Sequence, residues 1–143
     1  MSRYDDLAID REYESRSRTI SPEDVAAFAA LTGDHSPLHL DDRAAAAGPY
    51  GRRIAHGMLV VSCSIGLALD TGLLAGDLLA FAGLDRLRFV APVFVGDAIA
   101  VRKRVIERKP IDDARGLVSF DTRIFNQDGT TVVAYVDRYL LRR

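Results

Sequence analysis

The second half of the chain has the hydrophobic pattern of a β-sheet. Apolar and polar residues alternate, most cleanly from Val118 to Ile124, and residues typical of turns separate the alternating runs. Asp128-Gly129 has the composition of a tight hairpin turn. The pattern predicts an antiparallel meander, in which each strand neighbours the next, with strands over residues 79–90, 98–108, 116–126 and 131–141.

The first half of the chain is mainly helical in pattern, after modest strand character over residues 12–20. Ser21, followed by Pro22 and two acids, predicts a helix N-terminus, and Gly33 ends that helix. Further helices are predicted over residues 40–47 and 57–74. The last of these is apolar almost all round, so a sheet must wrap it. Helices followed by an antiparallel sheet predict an α+β fold.

Composition indicates an ordinary globular protein. The 143 residues suffice for one domain with a real core, so we expect a single domain over residues 1–143. Charged residues are 27% of the chain, yet the formal net charge is only -1. Because nucleic-acid binding usually requires a basic surface, we expect no nucleic-acid partner.

Two features bear on where the protein works. Cys63 is the single cysteine, so the chain has no intramolecular disulfide and we expect a cytoplasmic protein. The N-terminal residues are too charged for a signal peptide. The most apolar run, residues 58–69, is too short to cross a bilayer, so we expect no membrane partner.

A basic cluster occurs in the predicted sheet. Residues 102–104 and 108–109 are all arginine or lysine. Arginine suits phosphate groups of a small ligand, but the pattern favours a solvated face of an edge strand.

Candidate chemistry is concentrated in two segments. Asp34 and His39 lie five residues apart in a stretch punctuated by Gly33 and Pro37, which prevents one regular helix there. Gly57 opens the apolar helix, where a backbone N–H can bind an oxyanion. A carboxylate, an imidazole and such a donor are fit for acid–base chemistry. The spacing alone nevertheless favours a turn role for Asp34.

These segments resemble the MaoC-like hydratases, the (R)-specific enoyl-CoA hydratase branch of the hotdog fold. The resemblance rests on five segments that follow the family's order and together span about two-thirds of the chain. They are residues 21–25, 31–34, 36–39, 54–59 and 88–97. One departure is Ser36, where the family frequently has asparagine. The resemblance implies an antiparallel sheet wrapped around a central helix.

The family also implies roles for three residues. Asp34 and His39 would jointly activate water and deliver a proton, and the Gly57 N–H would bind the thioester oxygen. The substrate would be an acyl-CoA or acyl-carrier-protein thioester, with coenzyme A as part of the substrate and no separate cofactor. The resemblance also implies an obligate dimer, so we expect a homodimer. The alternatives are a hotdog acyl-CoA thioesterase and a non-catalytic subunit that binds acyl thioesters.

Three further residues are candidates for substrate binding. His56 precedes the apolar helix as an orienting group or a helix cap. Ser62 and Ile65 follow within the helix, where lining an acyl pocket and packing in the core are both open. The histidines near Asp34 raise the possibility of a metal, but Pro37 breaks the helical spacing that zinc motifs use, so we expect none.

Overall fold

The computed structural model of the protein describes residues 3–143. Its helices are α1 (Arg3–Asp6), α2 (Pro22–Thr32), α3 (Pro37–Leu40), α4 (Asp42–Ala46) and α5 (Gly57–Asp70). Its strands are β1 (Glu12–Glu14), β2 (Arg18–Thr19), β3 (Leu78–Phe89), β4 (Ala98–Pro110), β5 (Arg115–Asn126) and β6 (Thr131–Arg142). Among these residues, every helix is too short or too polar to span a membrane.

The strands form one antiparallel sheet that packs over α5, so the predicted α+β hotdog arrangement is confirmed. The order is β1-β4-β5-β6-β3, and β2 also pairs with β4. The prediction of four consecutive neighbours was therefore wrong for β3, which pairs with β6 at the far edge. The two N-terminal strands occupy the side of β4 that a simple meander would give to β3.

The local signals at α2 were sufficient to fix both of its ends. The Ser21 hydroxyl accepts from the Asp24 N–H, while the Asp24 carboxylate accepts from the Ser21 N–H. This reciprocal capping box satisfies two donors at the helix start. Gly33 ends the helix with a φ of 79°, a conformation that glycine adopts without a Cβ penalty. Asp34 follows directly, at the edge of the candidate site.

The two later helices are shorter than their sequence patterns suggested. The segment predicted as a helix over residues 40–47 is interrupted at Asp41, whose carboxylate caps α4. Helix α5 ends at Asp70 rather than at residue 74, because the Thr71 hydroxyl bonds to the Ala68 carbonyl and Gly72 has a φ of 76°. These residues turn the chain toward β3.

A buried polar network crosses the sheet beneath α5. Lys103 on β4 lies between Thr122 on β5 and Asp137 on β6, and its ammonium group donates to both. Tyr139 also donates to Asp137. Burial lowers the pKa of Lys103, which the carboxylate of Asp137 opposes. The prediction of a solvated face was therefore wrong for Lys103, which is buried in a strand with neighbours on both sides.

The connection between β3 and β4 holds the start of α5 in place. The Ala55 N–H donates to the Val93 carbonyl at 2.7 Å, and Ile54 forms an isolated bridge with Phe94. Because Ala55 lies two residues before Gly57, these bonds fix the entry to α5. The helix N-terminus is thereby positioned beside the last residues of β3.

Candidate active site

A cavity of about 460 Å³ lies where the start of α5, the end of β3 and the segment after α2 meet. Its apolar walls include buried Val60, Val93 and Val133. Four large apolar side chains that also line it are exposed: Tyr50, Met58, Phe89 and Val90. The polar side chains on its wall include those of Asp34, His39 and His56. The structure thus brings Asp34, His39, His56 and Gly57 together around one largely apolar space.

Asp34 is held as a carboxylate at the edge of this cavity. Both the hydroxyl and the N–H of Ser36 donate to its Oδ1, at 2.8 and 3.2 Å. These bonds favour the charged form, so they lower the pKa of Asp34 below its ordinary value. Serine at position 36 therefore supplies a hydrogen bond directly to the candidate catalytic group, and the side chain of Asp34 remains 47% exposed.

His39 presents one free ring nitrogen to the site. Its Nδ1 lies 2.7 Å from the carbonyl oxygen of Ile54. A carbonyl only accepts, so Nδ1 carries the hydrogen and Nε2 keeps its lone pair. Pro37 begins the one-turn helix α3. His39 therefore lies in a helix, whereas Asp34 lies in the irregular segment before it. An imidazole in this tautomer can accept a proton at Nε2.

Gly57 contributes a backbone donor and the absence of a side chain. As the first residue of α5, it has an N–H without an acceptor inside the helix. The ring of Phe89 covers its Cα: a Cβ built at Gly57 would lie 2.5 Å from Phe89 Cε1. Only glycine therefore fits beneath this ring without a shift. The N–H at a helix start suits a developing negative charge.

The three polar side chains also have the composition of a metal site. One ligand atom from each of Asp34, His39 and His56 lies within 4.8 Å of the others. His56 Nε2, however, already donates to the Asp34 carbonyl at 3.0 Å. If that nitrogen bound a cation, Nδ1 would carry the hydrogen, and Nδ1 is buried without a hydrogen-bond partner in the described chain. Metal-binding histidines normally have such a partner, so the residues fit a metal poorly.

Ser62 and Ile65 lie away from this cavity, so the geometry gives no support to their proposed role in substrate binding. Ser62 is exposed and lines a separate depression with Arg18 and Asp70. Ile65 is half-buried farther along α5. The residues of α5 that line the cavity are Gly57, Met58 and Val60, all in its first turn or just beyond.

Sequence reasoning missed the exposed apolar residues at the cavity, Tyr50, Met58, Phe89 and Val90. Phe89 and Val90 end a predicted strand, and Met58 follows Gly57, so each resembles ordinary core residues in the sequence. The usable signal was the glycine at position 57, since a glycine opening an apolar helix indicates close approach by another group.

Known proteins resemble this chain in sequence and in structure. The family described as MaoC like domain matches residues 6–125. The (R)-specific enoyl-CoA hydratase of Aeromonas caviae is 38% identical over 117 residues, which are 82% of this chain and 83% of that protein. Protein MaoC of Klebsiella aerogenes is 41% identical over 85 residues, which are 59% of this chain but 25% of that longer protein.

Two solved structures superpose over nearly the whole chain. The monoamine oxidase regulatory protein of Archaeoglobus fulgidus has a TM-score of 0.90 and 34% identity, with coverage of 98% of this chain and 94% of its own. The A. caviae (R)-hydratase involved in PHA biosynthesis has a TM-score of 0.79 and 34% identity, with coverage of 93% and 96%.

Proposed function

Since the chain belongs to the MaoC-like domain family, we propose that it is an (R)-specific enoyl-CoA hydratase, which adds water to trans-2-enoyl thioesters or catalyses the reverse dehydration. The observation that carries the proposal is the meeting of Asp34, His39 and the Gly57 N–H around one apolar cavity. The names of the similar proteins, which include a 3-hydroxybutyryl-CoA dehydratase, support the same type of reaction.

The reaction needs a base, an acid and an oxyanion donor, which these residues can provide. Asp34 and His39 jointly hold and deprotonate a water molecule, whose oxygen bonds to C3 of the enoyl thioester. The double-bond electrons move toward the thioester oxygen, and the Gly57 N–H stabilises the enolate there. A proton returned from the same pair to C2 completes the addition. The chemistry calls for no metal or redox cofactor, and coenzyme A enters as part of the substrate.

The arrangement predicts the stereochemistry of the product. A polar side-chain atom of Asp34 lies within 4.8 Å of one of His39 at the cavity wall, so we expect the hydroxyl and the proton to reach the same face of the double bond. We therefore expect syn addition. Which face is hydrated depends on how the Gly57 N–H holds the thioester oxygen, and the similarity to an (R)-specific enoyl-CoA hydratase favours the (R)-3-hydroxyacyl thioester. Incubation with crotonyl-CoA should remove the enoyl absorbance without releasing free thiol. Addition of an (S)-specific 3-hydroxyacyl-CoA dehydrogenase with NAD should then give no NADH.

Each other outcome of this assay identifies a different function. Thiol release without loss of the enoyl group indicates a thioesterase. Binding of the thioester without turnover indicates an acyl-thioester binding subunit. A strong NADH signal means that the (R) assignment is wrong, even if water is added.

We further propose that the protein works as a homodimer in the cytoplasm. Strand β3 lies at the sheet edge and pairs within the described chain only with β6. It exposes Leu79, Phe81 and Phe89, and a long apolar edge requires a partner. Light scattering at micromolar concentration should give twice the chain mass. A stable and active monomer under these conditions would overturn the proposal.

A further inference from the structure

His56 contacts the main chain of Asp34 and the ring of His39, and we propose that it is a positioning residue that holds these two candidate catalytic residues in their reactive arrangement. Its side chain is 3% exposed, far less than that of Asp34 at 47%. A buried histidine beside two reactive groups is either a third participant in proton transfer or a support for the other two. Its contacts distinguish between these roles.

The hydrogen bond of His56 is directed to the Asp34 backbone. His56 is the N-cap residue of α5, but its side chain makes no capping bond to that helix. Instead, Nε2 donates to the main-chain carbonyl of Asp34 at 3.0 Å and lies 4.0 Å from its Oδ2. Because Asp34 belongs to the irregular segment between α2 and α3, this bond fixes that segment against the start of α5.

The ring of His56 supports His39 by stacking. The two ring centroids are 3.9 Å apart with an interplanar angle of 30°. Phe28 on α2 also contacts the His56 ring, with centroids 5.0 Å apart. His39 therefore rests on a ring that is itself packed against a helix. Among the described residues, the His39 ring makes one hydrogen bond, from Nδ1 to the Ile54 carbonyl. That bond leaves the ring free to rotate about one axis, and the stacking restricts this rotation.

The tautomer argues against a proton-transfer role for His56. Nε2 must carry the hydrogen, because it faces a carbonyl oxygen. Nδ1 is buried and has no hydrogen-bond partner among the described residues, so no described group hands a proton to it or takes one away. His56 thus donates one hydrogen bond, to the Asp34 carbonyl, and its ring packs against His39.

Two substitutions separate the two contacts. His56→Gln keeps a side-chain N–H that can reach the Asp34 carbonyl but removes the ring. His56→Phe keeps the ring against His39 and Phe28 but removes the donor. His56→Ala removes both contacts. The matched control is His35→Ala, because His35 is an exposed histidine in the same segment.

On the proposed function, kcat for hydration of crotonyl-CoA should fall about 10- to 100-fold in His56→Ala, since small displacements of catalytic groups have effects of this size. KM should change little, and the Gln and Phe variants should each recover part of kcat. His35→Ala should match the wild type. An effect confined to KM, or kcat within about twofold of the wild type, would overturn the inference. If His56→Ala does not fold, the other two variants decide by the same criteria.

A second readout does not depend on any activity. The ¹⁵N chemical shifts of the His39 ring should report the Nδ1–H tautomer in the wild type and in His56→Phe. They should move toward a mixture of tautomers in His56→Ala. Unchanged shifts in a folded His56→Ala would overturn the inference. A wild type that shows the expected shifts but hydrates no enoyl thioester would instead contradict the proposed function alone.

Discussion

Asp34→Asn and His39→Ala should each lower kcat for hydration by about 100- to 10,000-fold, the usual contribution of a general acid or base. Asn keeps the size of Asp34 and its acceptor for Ser36 but loses the negative charge. Ala removes the Nε2 lone pair of His39. Because the two residues handle one water molecule and one proton together in the proposed mechanism, the double variant should be little slower than either single variant. Steady-state kinetics with crotonyl-CoA measures all three.

Matched controls exist for both substitutions. Asp113→Asn changes an exposed aspartate in the turn between β4 and β5, and His35→Ala removes the exposed neighbouring histidine. Both should retain wild-type rates. Full activity in a folded Asp34→Asn or His39→Ala variant would remove that residue from the mechanism. Effects of the two substitutions that multiply in the double variant would mean that the residues contribute independently rather than as a unit.

Lys103→Met should lower the free energy of unfolding by about 3–5 kcal/mol, the cost of leaving one member of a buried ion pair alone. The side chain of Lys103 is 2% exposed and that of Asp137 is completely buried, so water cannot compensate for the lost partner. Thr122 and Tyr139 still donate to Asp137, but neither supplies a positive charge. Urea unfolding at one fixed protein concentration measures the loss.

A neighbouring residue on the same strand provides the comparison. Arg102 pairs with Glu14, but both side chains are about half exposed, and such pairs contribute about 1 kcal/mol or less. Arg102→Met should therefore cost far less than Lys103→Met. Adding Asp137→Asn to Lys103→Met removes the unpaired charge and should restore part of the stability. A loss below about 1 kcal/mol for Lys103→Met would show that the buried pair contributes little.

Sequence reasoning succeeded where the determining interactions are local. The capping box at Ser21 and Asp24 and the left-handed Gly33 involve residues within one turn of each other, and both ends of α2 followed from them. Strands β4, β5 and β6 also lie close to their expected positions, because alternation marks the buried face of each one. That Asp34, His39 and Gly57 share one site was predicted from the family resemblance and could not be predicted from their spacing.

It failed where distant segments decide the outcome. Strand β3 is followed in sequence by β4, and nothing local indicates that it pairs with β6 instead. Lys103 was assigned to the surface because its two neighbours are arginines. Alternation did contain the contrary signal, since Val101 and Val105 are buried on the same face of β4 as Lys103. A charged side chain that faces the core needs a partner of the other sign, and Asp137 faces the core from β6.

The contact between Gly57 and Phe89 restricts how this site can evolve. The proposed oxyanion donor is a backbone N–H, so a substitution at position 57 can remove it only through proline or displacement of the helix. Any larger residue there first meets the Phe89 ring. A side chain at position 57 therefore requires either that the Phe89 ring moves aside or that residue 89 is smaller. The space above the start of α5 is thus set jointly by residues 57 and 89, so a smaller residue at position 89 would widen the cavity at the point where the backbone N–H faces it.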